Sequence, residues 1–296
     1  MTMRVVDGVA SGREAAGLGA LVALTKPAIA RMVVLTTLAG AFMAPGRVAL
    51  GRLGWTLAGT LLVVGAANAL NMFLERDTDA LMQRTRTRPI PSGRVSPDTA
   101  LWFGVALAFI GLPMLSFLVG PVPGLLAAVA LISYVLVYTP LKRVTHFALH
   151  VGALPGAIPP LIGWASTSAI SWRALLPFAI LLVWQIPHFY AIALFHREEY
   201  AAAGQPVLPN TAGLAATKRA VVRSTALLVI VSLLPVLLGT AGFGYLAVAI
   251  GLGAVFFGWA LAGLRTEAGQ GWARSLFFAS MPYLVLVLAA LAASAA

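Results

Sequence analysis

The sequence contains no cysteine and few charged residues. Only 10% of its 296 residues are Asp, Glu, Lys or Arg, whereas soluble globular proteins carry about 25%. The lack of cysteine excludes disulfides, cysteine-based zinc or iron–sulfur sites and covalent c-type haem. The lack of charge excludes an ordinary water-soluble enzyme, because too few charged side chains are present to cover a core of this size. Any metal must therefore be bound by oxygen or nitrogen.

The sequence contains long apolar runs, and 60% of its residues are hydrophobic. A helix that spans a membrane needs about 20 mostly apolar residues, and seven charge-free intervals are long enough. Two of them are interrupted by turn residues, at 120–124 and 239–242, so each predicts two helices. The proline-rich segment 155–160 predicts a kink within one helix. The predicted fold is all-α, a polytopic membrane protein with nine transmembrane helices in one bundle.

The charges are distributed unevenly across the predicted membrane. One side carries 17 of the 20 Lys and Arg residues and all nine acidic residues. Because cytoplasmic loops are enriched in Lys and Arg, we expect a cytoplasmic N-terminus, a C-terminus on the opposite side of the plasma membrane and a cytoplasmic active site. We expect residues 1–24 to form a retained cytoplasmic tail and residues 25–296 to form one intramembrane domain. The net charge of +11 then reflects basic loops beside anionic lipid, and no nucleic acid partner is expected.

A stripe of oxygen-bearing side chains follows the second predicted helix. Asn71, Glu75 and Asp79 are spaced four residues apart, so they lie on one helix face with Asn68 beside them. Hard oxygen ligands at a membrane-embedded helix end suit Mg²⁺, which completes its shell with water and phosphate oxygens. The alternative is a hydrated helix end without a ligand, although asparagines inside a bilayer need polar partners.

A cluster of arginines follows this stripe directly. Guanidinium groups bind phosphate oxygens through paired hydrogen bonds, so beside a metal site they favour a diphosphate leaving group. Taken alone, such a cluster is more typical of a loop that only sets topology. The candidate diphosphate ligands are Arg84, Arg86, Arg88 and, from a loop at the same membrane surface, Lys142 and Arg143.

A second polar set follows the sixth predicted helix. If this helix continues past Pro187, the spacing predicts a second stripe that faces the first, with His188 in the active cavity. A hydrogen-bonded interior histidine and a solvated pair of glutamates are the alternatives. Two further histidines, His146 and His150, could be metal or haem ligands on one face of the fifth helix. The candidates of the second set are Gln185, His188, Tyr190, His196, Glu198 and Glu199.

These motifs resemble the intramembrane aromatic prenyltransferase superfamily. Its pattern Asn-x-x-x-Asp-x-x-x-Asp is matched by Asn71, Glu75 and Asp79, with glutamate in the middle place. Within the superfamily the chain is most similar to the protohaem IX farnesyltransferases, the haem O synthase family. Glu75 and Glu199 stand where that family usually has aspartate, which lengthens both side chains. The segments that carry the closer resemblance are 24–27, 77–86, 156–164, 184–189 and 204–209.

The resemblance implies an enzyme with a central cavity that opens laterally to lipid. It implies transfer of a farnesyl group from farnesyl diphosphate to a vinyl group of haem b, with addition of water, to give haem O and diphosphate. Mg²⁺ is the implied cofactor, and Lys26, Lys142 or Arg143 are candidates for the haem propionates. The implied catalytic residues are Asn71, Glu75, Asp79 and His188, and the implied metal ligands are Asn71, Glu75, Asp79 and Glu199.

The implied partners are farnesyl diphosphate, haem b, the lipid bilayer and a downstream haem A synthase or terminal oxidase assembly step. Two alternatives remain. The first is a prenyltransferase that acts on an aromatic quinone precursor. Segments 156–164 and 184–189 favour haem over such a precursor as the acceptor. The second is a non-catalytic haem-binding assembly or transport protein, which the clustering of charge on one side does not favour.

Overall fold

Twelve helices and no strands form the part of the chain that the computed structural model describes, residues 17–265 and 268–295. Residues 1–16 of the predicted tail lie outside the described residues, so the tail boundary stays a prediction. The helices are α1 (Leu18–Leu24), α2 (Pro27–Met43), α3 (Leu50–Leu81), α4 (Pro97–Val119), α5 (Pro121–Leu141), α6 (Ala148–Thr167), α7 (Trp172–Phe195), α8 (Arg197–Ala202), α9 (Leu208–Thr211), α10 (Leu214–Leu237), α11 (Phe243–Ala262) and α12 (Gln270–Ala295).

Eight of the described helices are long and apolar enough to cross a membrane, and the count is nine if α1 and α2, which meet at a 53° bend, form one span. The all-α prediction is confirmed, and the predicted number of spans agrees when the bent pair counts as one. Gly120 alone separates α4 from α5, so the rest of the predicted 120–124 turn belongs to α5, and residues 238–242 separate α10 from α11 as predicted. The proline-rich segment breaks α6 at Ile158 without ending the span.

The bend between α1 and α2 lies at Lys26, whose backbone is left-handed with a φ of 51°. Pro27 begins α2 and disfavours the helical conformation in the residue before it. A left-handed conformation costs a residue other than glycine about 1–2 kcal/mol, and Lys26 is the only such residue with positive φ in the described part of the chain. Asn68 of α3 donates a 3.0 Å hydrogen bond to the carbonyl oxygen of Thr25, which holds the bend against the bundle.

The end of α5 is wound more loosely than an α-helix. Residues Ser133–Tyr138 form a π-helical turn just before Pro140, whose ring clashes with the carbonyl group four residues back in a regular helix. Within this turn, the hydroxyl of Thr139 donates a 2.8 Å hydrogen bond to the carbonyl oxygen of Tyr134. The turn brings Tyr134 and Tyr138 to one face of α5, with ring centroids 5.3 Å apart.

Helices α2 and α6 cross at very short distance, with a glycine on each side. A Cβ atom at Gly163 would lie 1.9 Å from the carbonyl oxygen of Thr37, and one at Gly40 would lie 1.9 Å from that of Pro160. Small residues allow membrane helices to approach closely enough for such packing. The 156–164 segment therefore joins two helices and does not line the cavity described below.

Candidate active site

A cavity opens where one end of α3, α5 and α7 meets the beginning of α6. It contains about 1020 Å³ of empty space, its open mouth included. Apolar and aromatic side chains form much of the wall, so the cavity suits a ligand with an anionic head and an apolar body. Six charged side chains also line it: Lys26, Glu75, Asp79, Arg84, Arg88 and Lys142.

The stripe predicted on α3 is buried at this cavity. Asn71, Glu75 and Asp79 line it and are 1%, 4% and 1% exposed. Asn71 accepts a hydrogen bond of 3.1 Å from the Lys26 ammonium group and donates one of 3.1 Å to the hydroxyl of Thr139. The three side chains share one helix face, as their spacing predicts. Asn68 is buried too, but its partner is the α1–α2 bend.

Each carboxylate of the stripe is paired with a cation. The Lys142 ammonium group forms an ion pair with Glu75 Oε1. One guanidinium nitrogen of Arg88 lies 2.9 Å and 2.7 Å from the two carboxylate oxygens of Asp79. Buried carboxylates require such compensation. Burial acts to lower the pKa of Lys142, which follows α5, but the Glu75 carboxylate raises that pKa and prevails.

The chemistry of the α3 stripe fits a magnesium ion. Its donors are two carboxylates and an amide oxygen, the type that Mg²⁺ prefers, and all three side chains are buried at the cavity. Within residues 17–265 and 268–295, no three His, Asp or Glu side chains lie close enough together to hold a metal. Glu199, the fourth predicted ligand, is engaged elsewhere.

The predicted second stripe does not form, because α7 ends at Phe195 and the backbone of His196 leaves the helical conformation before α8 begins. Glu199 Oε2 accepts a 2.9 Å hydrogen bond from the backbone N–H of Arg84, and its Oε1 lies 2.7 Å from His196 Nδ1. Burial acts to raise the pKa of Glu199, but these hydrogen bonds lower it and prevail. Glu199 joins the loops after α3 and α7, which does not support its assignment to the metal.

His188 lies between α7 and α12 and is not among the residues that line the cavity. Its ring stacks on Trp184 with centroids 4.5 Å apart and packs 4.6 Å from the ring of Phe277. Its Nδ1 lies 2.7 Å from the hydroxyl oxygen of Ser280. The imidazole has the polar partner that an intramembrane position requires. That partner is on α12, whereas the prediction placed His188 in the active cavity.

Gln185 also points away from the cavity and connects α7 to α6. Its amide donates a 2.8 Å hydrogen bond to the carbonyl oxygen of Ala153. A Cβ atom at Gly156 would lie 2.1 Å from Gln185 Oε1, so the glycine leaves room for this contact. The polar side chain of Gln185 on α7 therefore serves helix packing at this position.

The two remaining candidates of the second set lie apart from each other. Tyr190 lines the cavity, and its hydroxyl oxygen lies 3.4 Å from His150 Nε2. Glu198 is exposed and forms a 3.7 Å ion pair with its neighbour Arg197. Of the two adjacent glutamates, only Glu199 contacts the loop after α3.

Three of the five predicted diphosphate ligands line the cavity, namely Arg84, Arg88 and Lys142. Arg86 is exposed and is not among the residues that line the cavity. Arg143 donates a hydrogen bond to a backbone carbonyl oxygen of α3. Lys26, which the sequence suggested for a haem propionate, joins the three cations at the cavity.

Several cavity residues were not singled out from the sequence. The Lys142 ammonium group lies 5.0 Å from the ring centroid of Tyr138, and the Arg84 guanidinium lies 5.1 Å from that of Tyr200. Cations within about 6 Å of an aromatic ring are attracted to its face. The four-residue spacing between Tyr138 and Lys142 is the signal that could have indicated the first pair. Gln205, buried on the cavity wall, lay within the 204–209 motif without a role.

Known proteins are similar to this chain in both sequence and fold. A protoheme IX farnesyltransferase from Sorangium cellulosum (strain So ce56) is 56% identical over 241 residues, which are 81% of this chain and 86% of that protein. A digeranylgeranylglyceryl phosphate synthase structure superposes with a TM-score of 0.79 at 17% identity and covers 94% of this chain and 98% of its own. A UbiA homologue from Archaeoglobus fulgidus, solved with GPP and Mg²⁺, gives a TM-score of 0.67 at 15% identity, covering 92% and 99%.

The two structural neighbours establish the fold alone, because their sequences are so distant. The family assignment depends on sequence. The model of the UbiA prenyltransferase family matches residues 33–281, a range that contains the whole α3 stripe and all the cavity residues except Lys26. Together with the apolar helices, this makes the protein a multi-pass membrane protein, and the chain belongs to the UbiA prenyltransferase family.

Proposed function

We propose that this chain transfers the farnesyl group of farnesyl diphosphate to a vinyl group of haem b, with addition of water, and releases haem O and diphosphate. The relative from Sorangium cellulosum is named for farnesyl transfer to protohaem. In the structure, the proposal depends on one observation. The cavity has two buried carboxylates and four cations in its wall together with apolar and aromatic side chains, which suits a diphosphate with a long apolar tail.

We assign Asn71, Glu75 and Asp79 as the ligands of Mg²⁺. Bound there, Mg²⁺ would neutralise the diphosphate oxygens as the bond to the farnesyl carbon breaks. Glu75 and Asp79 supply the negative charge that a divalent cation requires, and the hydrogen bonds of Asn71 fix its amide orientation. The solved complex of the A. fulgidus homologue with GPP and Mg²⁺ supports a metal in this family.

The cations of the cavity hold the leaving group. Arg88 and Lys142 neutralise Asp79 and Glu75 in the structure, and they can bind diphosphate oxygens when these carboxylates turn to a metal. Lys26 and Arg84 add positive charge at the same wall. Cations that are already in place where negative charge develops lower the barrier to departure of diphosphate.

The rest of the wall keeps the reacting carbon away from bulk water. Leu149, Phe189, Val207 and Leu208 line the cavity, and they provide apolar surface for the farnesyl chain. An allylic cation that formed in a wet site would be captured by water before the haem vinyl group could attack it. This wall therefore favours transfer over hydrolysis.

We further propose that the cavity opens toward the cytoplasm and that the C-terminus lies on the opposite side. This rests on the excess of Lys and Arg on one side of the helices. Residues 1–24 are proposed as a cytoplasmic tail, and residues 25–296 as the prenyltransferase domain. A haem A synthase or a terminal oxidase assembly step would receive the product.

The activity is tested with purified protein in detergent or nanodiscs, supplied with Mg²⁺, haem b and farnesyl diphosphate. We expect a product with the mass of haem O, and no product when Mg²⁺ is chelated. A phenolic quinone precursor serves as the competing acceptor. Prenylation of that phenol without haem O formation would favour the quinone alternative, and haem binding without any product would favour a non-catalytic haem protein.

A further inference from the structure

The chain has four histidines, all of them within the described residues, and they differ in their surroundings. His188 is enclosed between α7 and α12 beside Ser280, and His196 is paired with Glu199. His150 is exposed, with its Nε2 3.4 Å from the hydroxyl of Tyr190. Only His146 lines the cavity.

The contacts of His146 favour one tautomer of its imidazole. Its Nδ1 lies 3.2 Å from Thr211 Oγ1, and that hydroxyl is also within 3.3 Å and 3.4 Å of the carbonyl oxygens of Val207 and Leu208. These carbonyl oxygens can only accept, so they compete with Nδ1 for the single hydroxyl proton. When the proton goes to a carbonyl, Thr211 Oγ1 accepts a hydrogen bond from Nδ1–H, and the neutral ring then carries its free lone pair on Nε2.

The surroundings of His146 suit a flat apolar ligand. Its ring packs on Phe147 with centroids 4.3 Å apart, which restrains the imidazole plane. Leu149, Phe189 and Leu208 contribute apolar wall to the same cavity, and Lys142 precedes His146 by four residues at the charged part of the wall. A macrocycle held at His146 would therefore share one cavity with the diphosphate.

We propose that His146 Nε2 binds the iron of the acceptor haem as an axial ligand and thereby positions the macrocycle for prenylation. The proposal rests on haem as the acceptor of the proposed function. Histidine is a common axial ligand of haem iron, and the orientation of such a ligand is set by the partner of its other nitrogen. Here that partner is a neutral threonine hydroxyl and not a carboxylate. The imidazole is therefore a less basic ligand, which suits a haem that must leave after reaction.

The test is a titration of the full-length protein in nanodiscs with ferric haem b, in the absence of Mg²⁺ and farnesyl diphosphate. Absorption and electron paramagnetic resonance spectra report the axial ligand. We expect histidine ligation in the native protein and its loss in His146→Ala and His146→Gln, with haem affinity at least about tenfold weaker. His150→Gln is the matched control, since it removes the neighbouring histidine four residues along, and we expect it to retain the native spectrum.

Free imidazole added to His146→Ala should restore the histidine-type spectrum, which shows that the variant is folded and that its cavity still accepts haem. The proposal is overturned if His146→Ala or His146→Gln keeps the native spectrum, if His150→Gln loses it, or if the native protein shows no nitrogen ligand. Because the spectra need no turnover, histidine ligation in a protein that makes no haem O would support the haem site while rejecting the proposed reaction.

Discussion

The two polar helix ends of this molecule differ in how they use similar residues. On α3 the helix continues without a break to Leu81, so Asn71, Glu75 and Asp79 meet at one cavity. On α7 and α8 the polar residues separate, with Gln185 bonded to α6, His188 to α12 and Glu199 to the loop after α3. Regular spacing therefore predicts a shared site only as long as the helix is continuous and its face has a cavity opposite.

The largest effect is expected on the α3 side. Glu75→Gln and Asp79→Asn should each lower kcat by at least about 100-fold, equivalent to about 2.7 kcal/mol in the transition state, because each removes a charged ligand of Mg²⁺. Haem O formation is measured across a Mg²⁺ titration, and thermal unfolding is followed in parallel, since each change also leaves a cation without its partner.

Asp77→Asn is the control for both variants. Asp77 lies on the same helix, but its side chain is 79% exposed and it pairs only loosely with Arg76. We expect near-native activity from it. Full activity of Glu75→Gln or Asp79→Asn at ordinary Mg²⁺ would contradict the assignment of Mg²⁺ to the α3 stripe. The two helix ends would then no longer differ in function.

A second, smaller effect is expected for the cations that pair with the stripe. Arg88→Gln and Lys142→Gln should weaken the binding of inorganic diphosphate about tenfold each, because a charge-assisted contact contributes roughly 1.5–3 kcal/mol. Arg86→Gln serves as control, since Arg86 is exposed outside the cavity. Calorimetric titration with diphosphate in the presence of Mg²⁺ measures the difference. Equal affinities for all three variants and the native protein would indicate that these cations only set membrane topology and do not bind diphosphate.

On the α7 side, His188→Ala should affect stability more than catalysis. It removes the ring stacked between Trp184 and Phe277 and the partner of Ser280, so the unfolding midpoint should fall by several degrees. The activity of the folded fraction should stay within about threefold of native, because a loss of about 0.6 kcal/mol corresponds to that factor. A tenfold loss of activity with an unchanged unfolding midpoint would instead support a role for His188 in the active site.

The smallest effect is expected for Glu199→Gln. Its amide oxygen can still accept from the Arg84 backbone, while the charge beside His196 is lost, so KM for farnesyl diphosphate should rise about threefold, in the range of a partly exposed ion pair. The half-saturating Mg²⁺ concentration should not change. Glu198→Gln is the control, because Glu198 does not contact the loop after α3. A large shift in Mg²⁺ requirement for Glu199→Gln alone would make Glu199 a metal ligand.

Much of the fold could be predicted from the sequence because the membrane imposes helix length directly. The charge-free intervals predicted the spans, and the helix breaks at Gly120 and at 238–242 lie at or beside the predicted turns. The face shared by Asn71, Glu75 and Asp79 followed from helical periodicity. The tertiary partners could not be predicted, since periodicity does not say which helix lies opposite His188 or Gln185. The end of α7 at Phe195 was also missed, because the residues after it carry neither glycine nor proline to signal a break.

The left-handed backbone of Lys26 has a consequence for how this protein can change. Glycine at position 26 would relieve the strain of about 1–2 kcal/mol, but it would remove the ammonium group that contacts Asn71 at the cavity. Stability and chemistry therefore favour different residues at one position. In a library selected only for resistance to heat, we expect glycine or asparagine to be enriched at position 26, whereas selection for haem O formation should retain lysine.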